Sequence, residues 1–182
     1  AASVAESEAQ VRRLAALAGN PAAGERLVAE IEAALVEARR AGPPVAALLW
    51  QQGGLVPGEG TLAAELLAHT GFASHSAARG LGQGAYLPLE EVLADPPEVV
   101  LAAGEGRAQA HPVLANLRRE RLDPALLYCG GPTIPKLAKR LAEVRDEIER
   151  SLPRAGGVWG GSVIEGETHP PPTPPASGRG KG

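Results

Sequence analysis

With 182 residues and 44% hydrophobic side chains, the chain has material for one ordinary folded domain plus appendages, and 3% aromatics mean a core built from Leu, Val, Ile and Ala. A net charge of −3 and a pI near 5.9 speak against a nucleic-acid partner, whose phosphates demand clustered Lys and Arg. No stretch of about 18 apolar residues is present to span a membrane, and a single Cys129 excludes an internal disulfide without fixing a redox compartment.

The opening "AASVAESEAQ" has neither an initiator Met nor the apolar core of a signal peptide, so a fragment or a processed product is expected. Ser3 with Glu6 suits a capping box, and Val4, Val11, Leu14 and Ala18 share one face of a helix that stops at Gly19. Asn20-Pro21 restarts a helix of about 20 residues, with Leu27, Val28, Ile31, Leu35 and Ala38 as its apolar stripe, ending at Gly42-Pro43-Pro44.

Residues 45–50 read as a buried strand, and 61–70 as a helix with Leu62, Leu66 and Leu67 inward. A looser stretch, "FASHSAARGLGQGAYLP", precedes a short helix, "LEEVLAD", which is broken by Pro96-Pro97. "EVVLAAG" is a second buried strand, "HPVLANL" one or two helical turns and "RERLDP" a short extended segment. The last helix follows Gly130-Gly131-Pro132, with Ile134, Leu137, Leu141, Val144 and Ile148 on one face. Alternation of strands and helices predicts an α/β layer with a mostly parallel sheet. Residues 151–182, rich in Gly, Pro and Ser, read as a disordered tail.

Chemical motifs are few. Gly58 and Gly60 suggest a dinucleotide turn, yet seven residues separate Gly58 from Trp50, where that fingerprint needs an immediate tight turn. A small α/β nucleotide-binding module or enzyme remains the alternative reading. His69, His75, His111 and His169 lack the spacing of zinc ligands, and they read as surface or helix-end residues, with His75 and His111 as candidates to face a cleft. Glu90 and Glu91, adjacent on a helix, point in different directions and read as a solvated face. No catalytic residue, metal site or cofactor is expected.

The ordered set "LAALAGNP", "LLWQQGGLVPGEGTLAAELLAHTGF", "YLPLEEVLADPPEVVLAAG" and "CGGPTIPKLAKRLAEVR" resembles the iron-siderophore and cobalamin substrate-binding proteins of ABC importers. The resemblance covers residues 1 to about 150. It implies a two-lobed α/β periplasmic binding protein whose lobes are joined by one long helix, with the ligand in the cleft between them. Residues 1–19 would be the last helix of a missing N-terminal lobe, 20–42 the connecting helix, and 43–150 the three-layer C-terminal α/β lobe.

On this resemblance the loop after the first strand faces the cleft, and Trp50, Gln51, Gln52, Gly53 and Gly54 line the ligand, with Tyr86, Tyr128 and Cys129 in loops at comparable positions. These residue types suit a ligand wall, since amides donate and accept hydrogen bonds and glycines let a bulky chelate approach the backbone. Trp50 has two readings, a flat apolar wall with an N–H donor or a core anchor at a strand end. The resemblance further implies a ferric siderophore, cobalamin or haem as ligand and a permease of the inner membrane as partner. Glu90 is the docking carboxylate, Glu91 its competitor in register. The location implied is the periplasm, or a lipid anchor outside the cytoplasmic membrane.

Overall fold

The computed structural model describes residues 2–128 and 130–151. The expected disordered tail therefore lies outside the described residues, except for Ser151, and so does Cys129. Among the described residues no helix is long and apolar enough to cross a membrane.

Two helices come first, α1 (Val4–Leu17) and α2 (Pro21–Ala38). Ser3 caps the first by accepting the Glu6 N–H, and Asn20 caps the second by accepting the Ala23 N–H, with Pro21 in the first turn. They pack so closely that Gly24 has no room for a side chain, because a Cβ there would lie 2.7 Å from the Ala15 Cβ. The stripe of α2 is inward as its spacing predicts, with Val28, Ile31 and Ala38 buried. That of α1 is only half used: Leu14 stands out in solvent. Glu65 accepts the N–H of Val4, and Val11 meets Gly131, so α1 packs on the same compact unit as the other described elements.

Next come β1 (Val45–Gln51), β2 (Leu55–Val56), α3 (Leu62–His69), β3 (Phe72–Ser74), α4 (His75–Ala78), β4 (Ala85–Tyr86) and α5 (Leu89–Ala94). Then follow β5 (Val99–Ala103), β6 (Arg118–Leu122) and α6 (Ile134–Ser151). The stretch read as loose thus holds two short strands and a helical turn. Each is too short for periodicity to reveal, and β4 exists only because it pairs antiparallel with β2.

The main sheet has the order β3-β1-β5-β6, and every pairing is parallel. The central strands are buried on both faces, which is why they read as unbroken apolar runs. Alternate residues serve opposite faces. Ala47, Leu49, Val99 and Leu101 face α2, α3 and α6, while Leu48, Trp50 and Val100 face α5 and the turn at Pro112–Asn116. The result is three layers, helices on either side of one sheet.

The edge strand β6, "RRERL", carries alternating charges that discourage pairing with another strand. Arg145 of α6 is 3% exposed; it donates to the carbonyls of Gly71 and Pro43 and pairs with Glu149 at 2.9 Å. A buried guanidinium so spread fastens the entrances of β1 and β3 to the last helix. Arg40, just past α2, grips Asp146 with two bonds of 2.6 and 2.8 Å.

Candidate functional site

In an open parallel sheet, ligands bind where neighbouring strands send their connections to opposite sides. Here that point lies between β1, whose chain goes on to β3, and β5, whose chain goes on to β6. The residues at the carboxyl ends of these two strands are Gln51-Gln52-Gly53-Gly54 and Gly104-Glu105-Gly106-Arg107. Close approach requires glycine at two of these positions. A Cβ on Gly104 would lie 3.3 Å from that of Gln52, and one on Gly54 would lie 3.2 Å from the Leu87 carbonyl oxygen, with φ positive at both.

Trp50 is fully buried, and the anchor reading describes its place here: its indole N–H donates to the Leu87 carbonyl at 3.0 Å. It supports the turn from beneath and does not face solvent. Gln51, Gln52, Gly53 and Gly54 form the turn above it. Gln51 borders two hollows on opposite sides of the strand end. The first, about 360 Å3, is lined by Thr61, Gln83, Tyr128 and Thr133 among others. The second, about 450 Å3, is lined by Gly53, Gly54, Glu90 and Arg107 among others.

Tyr86 and Tyr128 are 69% and 75% exposed, the two bare aromatic rings of the described residues. Tyr86 sits on β4 opposite Leu55, next to the turn, and Tyr128 follows the short turn Pro124–Leu127 beyond β6. Exposed rings are rare in a chain with 3% aromatics, so their position at this edge is informative.

Gln109 is a site residue that no sequence motif marks. It is buried, its amide N–H donates to the Trp50 carbonyl at 2.5 Å, and its amide oxygen accepts the Gly106 N–H at 2.8 Å. Arg119 in turn donates to the Gln109 carbonyl. One side chain thereby ties the loop after β5 to the last residues of β1. The glycines of "AAGEGRAQA" after a buried strand were the available signal, since they repeat the pattern that follows β1.

The other candidates fall elsewhere. Gly58 lies against backbone carbonyls, where a Cβ would come within 2.0 Å of the Leu81 oxygen and 2.1 Å of the Gly82 oxygen. A phosphate needs converging N–H donors, and this spot presents acceptors. His69 donates to the Leu35 carbonyl at 2.6 Å, and His111 accepts the Val113 N–H, as capping residues do. His75 opens α4, the helix-end half of its expected place, but it is buried beside Asp95, with 3.7 Å between Nε2 and Oδ2. His169 lies outside the described residues. No three metal-ligating side chains converge among the described residues.

Glu90 and Glu91 are both exposed but differ in what they touch. Arg79 takes Glu91 at 3.1 Å and Asp95 at 3.3 Å, whereas Glu90 makes no ion pair among the described residues. The free carboxylate of the pair is therefore Glu90.

The fold has counterparts among solved structures. The periplasmic heme-binding protein RhuT from Roseiflexus sp. RS-1 superposes with a TM-score of 0.63 at 25% identity, over 79% of this chain and 62% of its own. The periplasmic heme-binding protein BhuT, solved with two hemes, gives 0.62 at 23% identity, over 78% of this chain and 62% of its own. Helicobacter pylori CeuE, solved with a Ni-His complex, gives 0.67 at 14% identity, over 84% of this chain and 54% of its own. The chain thus spans 54–62% of the length of these three structures. No curated protein matches it in sequence. The sequence profile described as periplasmic binding protein matches residues 1–122, two thirds of the chain, and with the parallel three-layer lobe this shows that the chain belongs to the periplasmic binding protein family.

Proposed function

We propose that the chain is the substrate-binding component of an ABC importer for an iron complex, a ferric siderophore or a related chelate such as cobalamin or haem. It works in the periplasm, or lipid-anchored outside the cytoplasmic membrane. The observation that carries this reading is the edge at the switch point, where the turn Gln51–Gly54 meets the loop after β5, with exposed Tyr86 opposite Leu55 just past the turn and exposed Tyr128 lining the same hollow as Gln51. RhuT and BhuT, described as heme-binding, share the fold and lend support.

Binding alone is the mechanism, and no bond of the ligand is made or broken. The chelator brings the ligands of its metal, so the protein supplies shape, amide donors and acceptors, and ring faces. Gln51, Gln52, Gly53, Gly54, Tyr86 and Tyr128 form this lobe's wall, with Trp50 as its support. Cys129, next to Tyr128, belongs to the proposed wall by position. The second wall comes from the other lobe, and the 20–42 segment joins the two. Glu90 then docks on a cationic surface of the permease, since its carboxylate is not already spent on Arg79.

The test is a titration of the full-length protein with haem, a ferric siderophore, cobalamin and ATP, followed by absorbance and tryptophan fluorescence. Saturable binding of at least one chelate, weakened tenfold or more by Tyr128→Ala or by Gln51→Ala, is the expected result, a loss of about 1.4 kcal/mol. Binding of ATP with none of the chelates would overturn the reading in favour of a nucleotide module.

A further inference from the structure

Leu87 is held at both ends of its backbone by the turn that follows β1. Its N–H donates to the Gly54 carbonyl at 2.8 Å, and its carbonyl accepts the Trp50 indole N–H at 3.0 Å. Leu87 is fully buried, and the next residue, Pro88, is the N-cap of α5, whose second residue is Glu90. A proline ring fixes φ, so little play exists between Leu87 and the first turn of that helix.

The turn itself has the opposite character. Gly53 and Gly54 have φ of +80° and +92°, and glycine is the residue with the widest choice of backbone states. A glycine turn, which can take up a ligand-induced change of φ and ψ, is therefore bonded directly to the segment that leads into α5. At its other end α5 is pinned, because Arg79 of the α4 cap donates to the Glu91 carbonyl at 3.4 Å and pairs with the Glu91 and Asp95 carboxylates. A shift at Leu87 would thus swing the first turn of α5, and Glu90 with it, about the Arg79 clasp. Glu90 also borders the hollow that Gly53, Gly54 and Leu87 line.

We infer that Leu87 couples the ligand edge to the docking helix, so that a chelate seated on Gln52–Gly54 and a cationic partner seated on Glu90 each bias the affinity of the other. The inference rests on the proposed roles of that turn and of Glu90. Coupling between two bound species is reciprocal, and because the proposed route runs through α5, the ligand alone should alter that helix even when no partner is present. The indole N–H acts through Leu87, which makes Trp50 a positioning residue for Glu90.

The test uses hydrogen exchange in peptides covering residues 88–95 of the full-length protein, with and without haem. The comparison is between wild type and a protein in which Trp50 is replaced by β-(3-benzothienyl)alanine, a ring of nearly equal shape without the N–H. The expected result is exchange slowed about fivefold or more by haem in wild type, with that slowing lost in the variant when both proteins are compared at haem concentrations that saturate each. As a check from the other side, Gly54→Ala pushes a Cβ toward the Leu87 carbonyl and should speed exchange in the same peptides without haem.

Slowing that persists without the indole N–H would overturn the coupling, because the ligand would then touch α5 directly. So would unchanged exchange in wild type that has bound haem. Loss of haem binding in the variant would also overturn the inference, because the indole would then belong to the ligand wall and not be a positioning residue for Glu90. Failure of wild type to bind haem at all would sink the haem reading of the site first and the inference with it.

Discussion

Neighbouring carboxylates can differ in use because their surroundings differ, and Glu90 and Glu91 illustrate this. Glu91 is neutralised by Arg79, whereas Glu90 faces solvent with no ion pair among the described residues. Transport assays in cells carrying the full-length protein should therefore show a loss of tenfold or more for Glu90→Ala and a small effect for Glu91→Ala, since removing a rim charge acts mainly on encounter and docking. Equal effects would mean that the docking assignment is one residue out of register. Residue chemistry also sets one pH response. The Arg40 guanidinium, hydrogen-bonded to both oxygens of Asp146, holds that carboxyl below its ordinary range. A group whose folded pKa is depressed contributes stability above its unfolded pKa and loses it as pH falls through the folded one. Asp146→Asn should thus cost about 1 kcal/mol near neutral pH, modest because the carboxylate is 41% exposed. That difference should fade below about pH 4, which denaturant titrations at pH 7 and pH 2.5 would read.

Among the elements, the long helices and the two buried strands were legible because each repeats its signal several times. The stripe Ile134, Leu137, Leu141, Val144 and Ile148 is buried in full, as a 3.6-residue period requires. The β2–β4 ribbon was not legible, since two residues per strand carry no period and the partners lie about 30 positions apart in sequence. The loop containing Gly58 shows how a motif can mislead: its glycine is demanded by the crossing of residues 81 and 82, with the Glu59 N–H bonded to the Leu81 carbonyl. Gly58→Ala should cost about 3 kcal/mol, since rigid backbone, and not a side-chain end, occupies the space. Thermal unfolding within a degree or two of wild type would show that the crossing can open without penalty.

At the scale of the whole molecule, the proposed reading gives this chain one wall of the site. The hollows on either side of Gln51, about 360 and 450 Å3, are open to solvent, and on the proposed reading a second lobe closes over them. A ligand held on one face keeps much of its surface in water, so this lobe expressed alone should bind a chelate at least a hundredfold more weakly than a full two-lobed protein, about 2.7 kcal/mol or more. Parallel calorimetric titrations of the two would check this, and equal affinities would place the whole site on this lobe. The exposed Leu14 of α1 belongs to this scale too, because a stripe that periodicity marks as inward is here only partly covered.

What the sequence determined by itself is what local repetition encodes: the α/β class, the long helices, the buried central strands and the glycine-marked turn after the first of them. Apolar periodicity acts over a few residues and survives without tertiary context. What only the tertiary structure decided is which residues stand together at the edge. Gln109 reaches Trp50 across 59 positions of sequence, and Leu87 reaches Trp50 across 37. The burial of Trp50 and the bond from its indole N–H to Leu87 were of the same kind, because a strand-end tryptophan reads alike exposed or buried until the elements packed on it are in place. Burial is a property of the neighbours that cover a residue, and those neighbours come from distant parts of the chain.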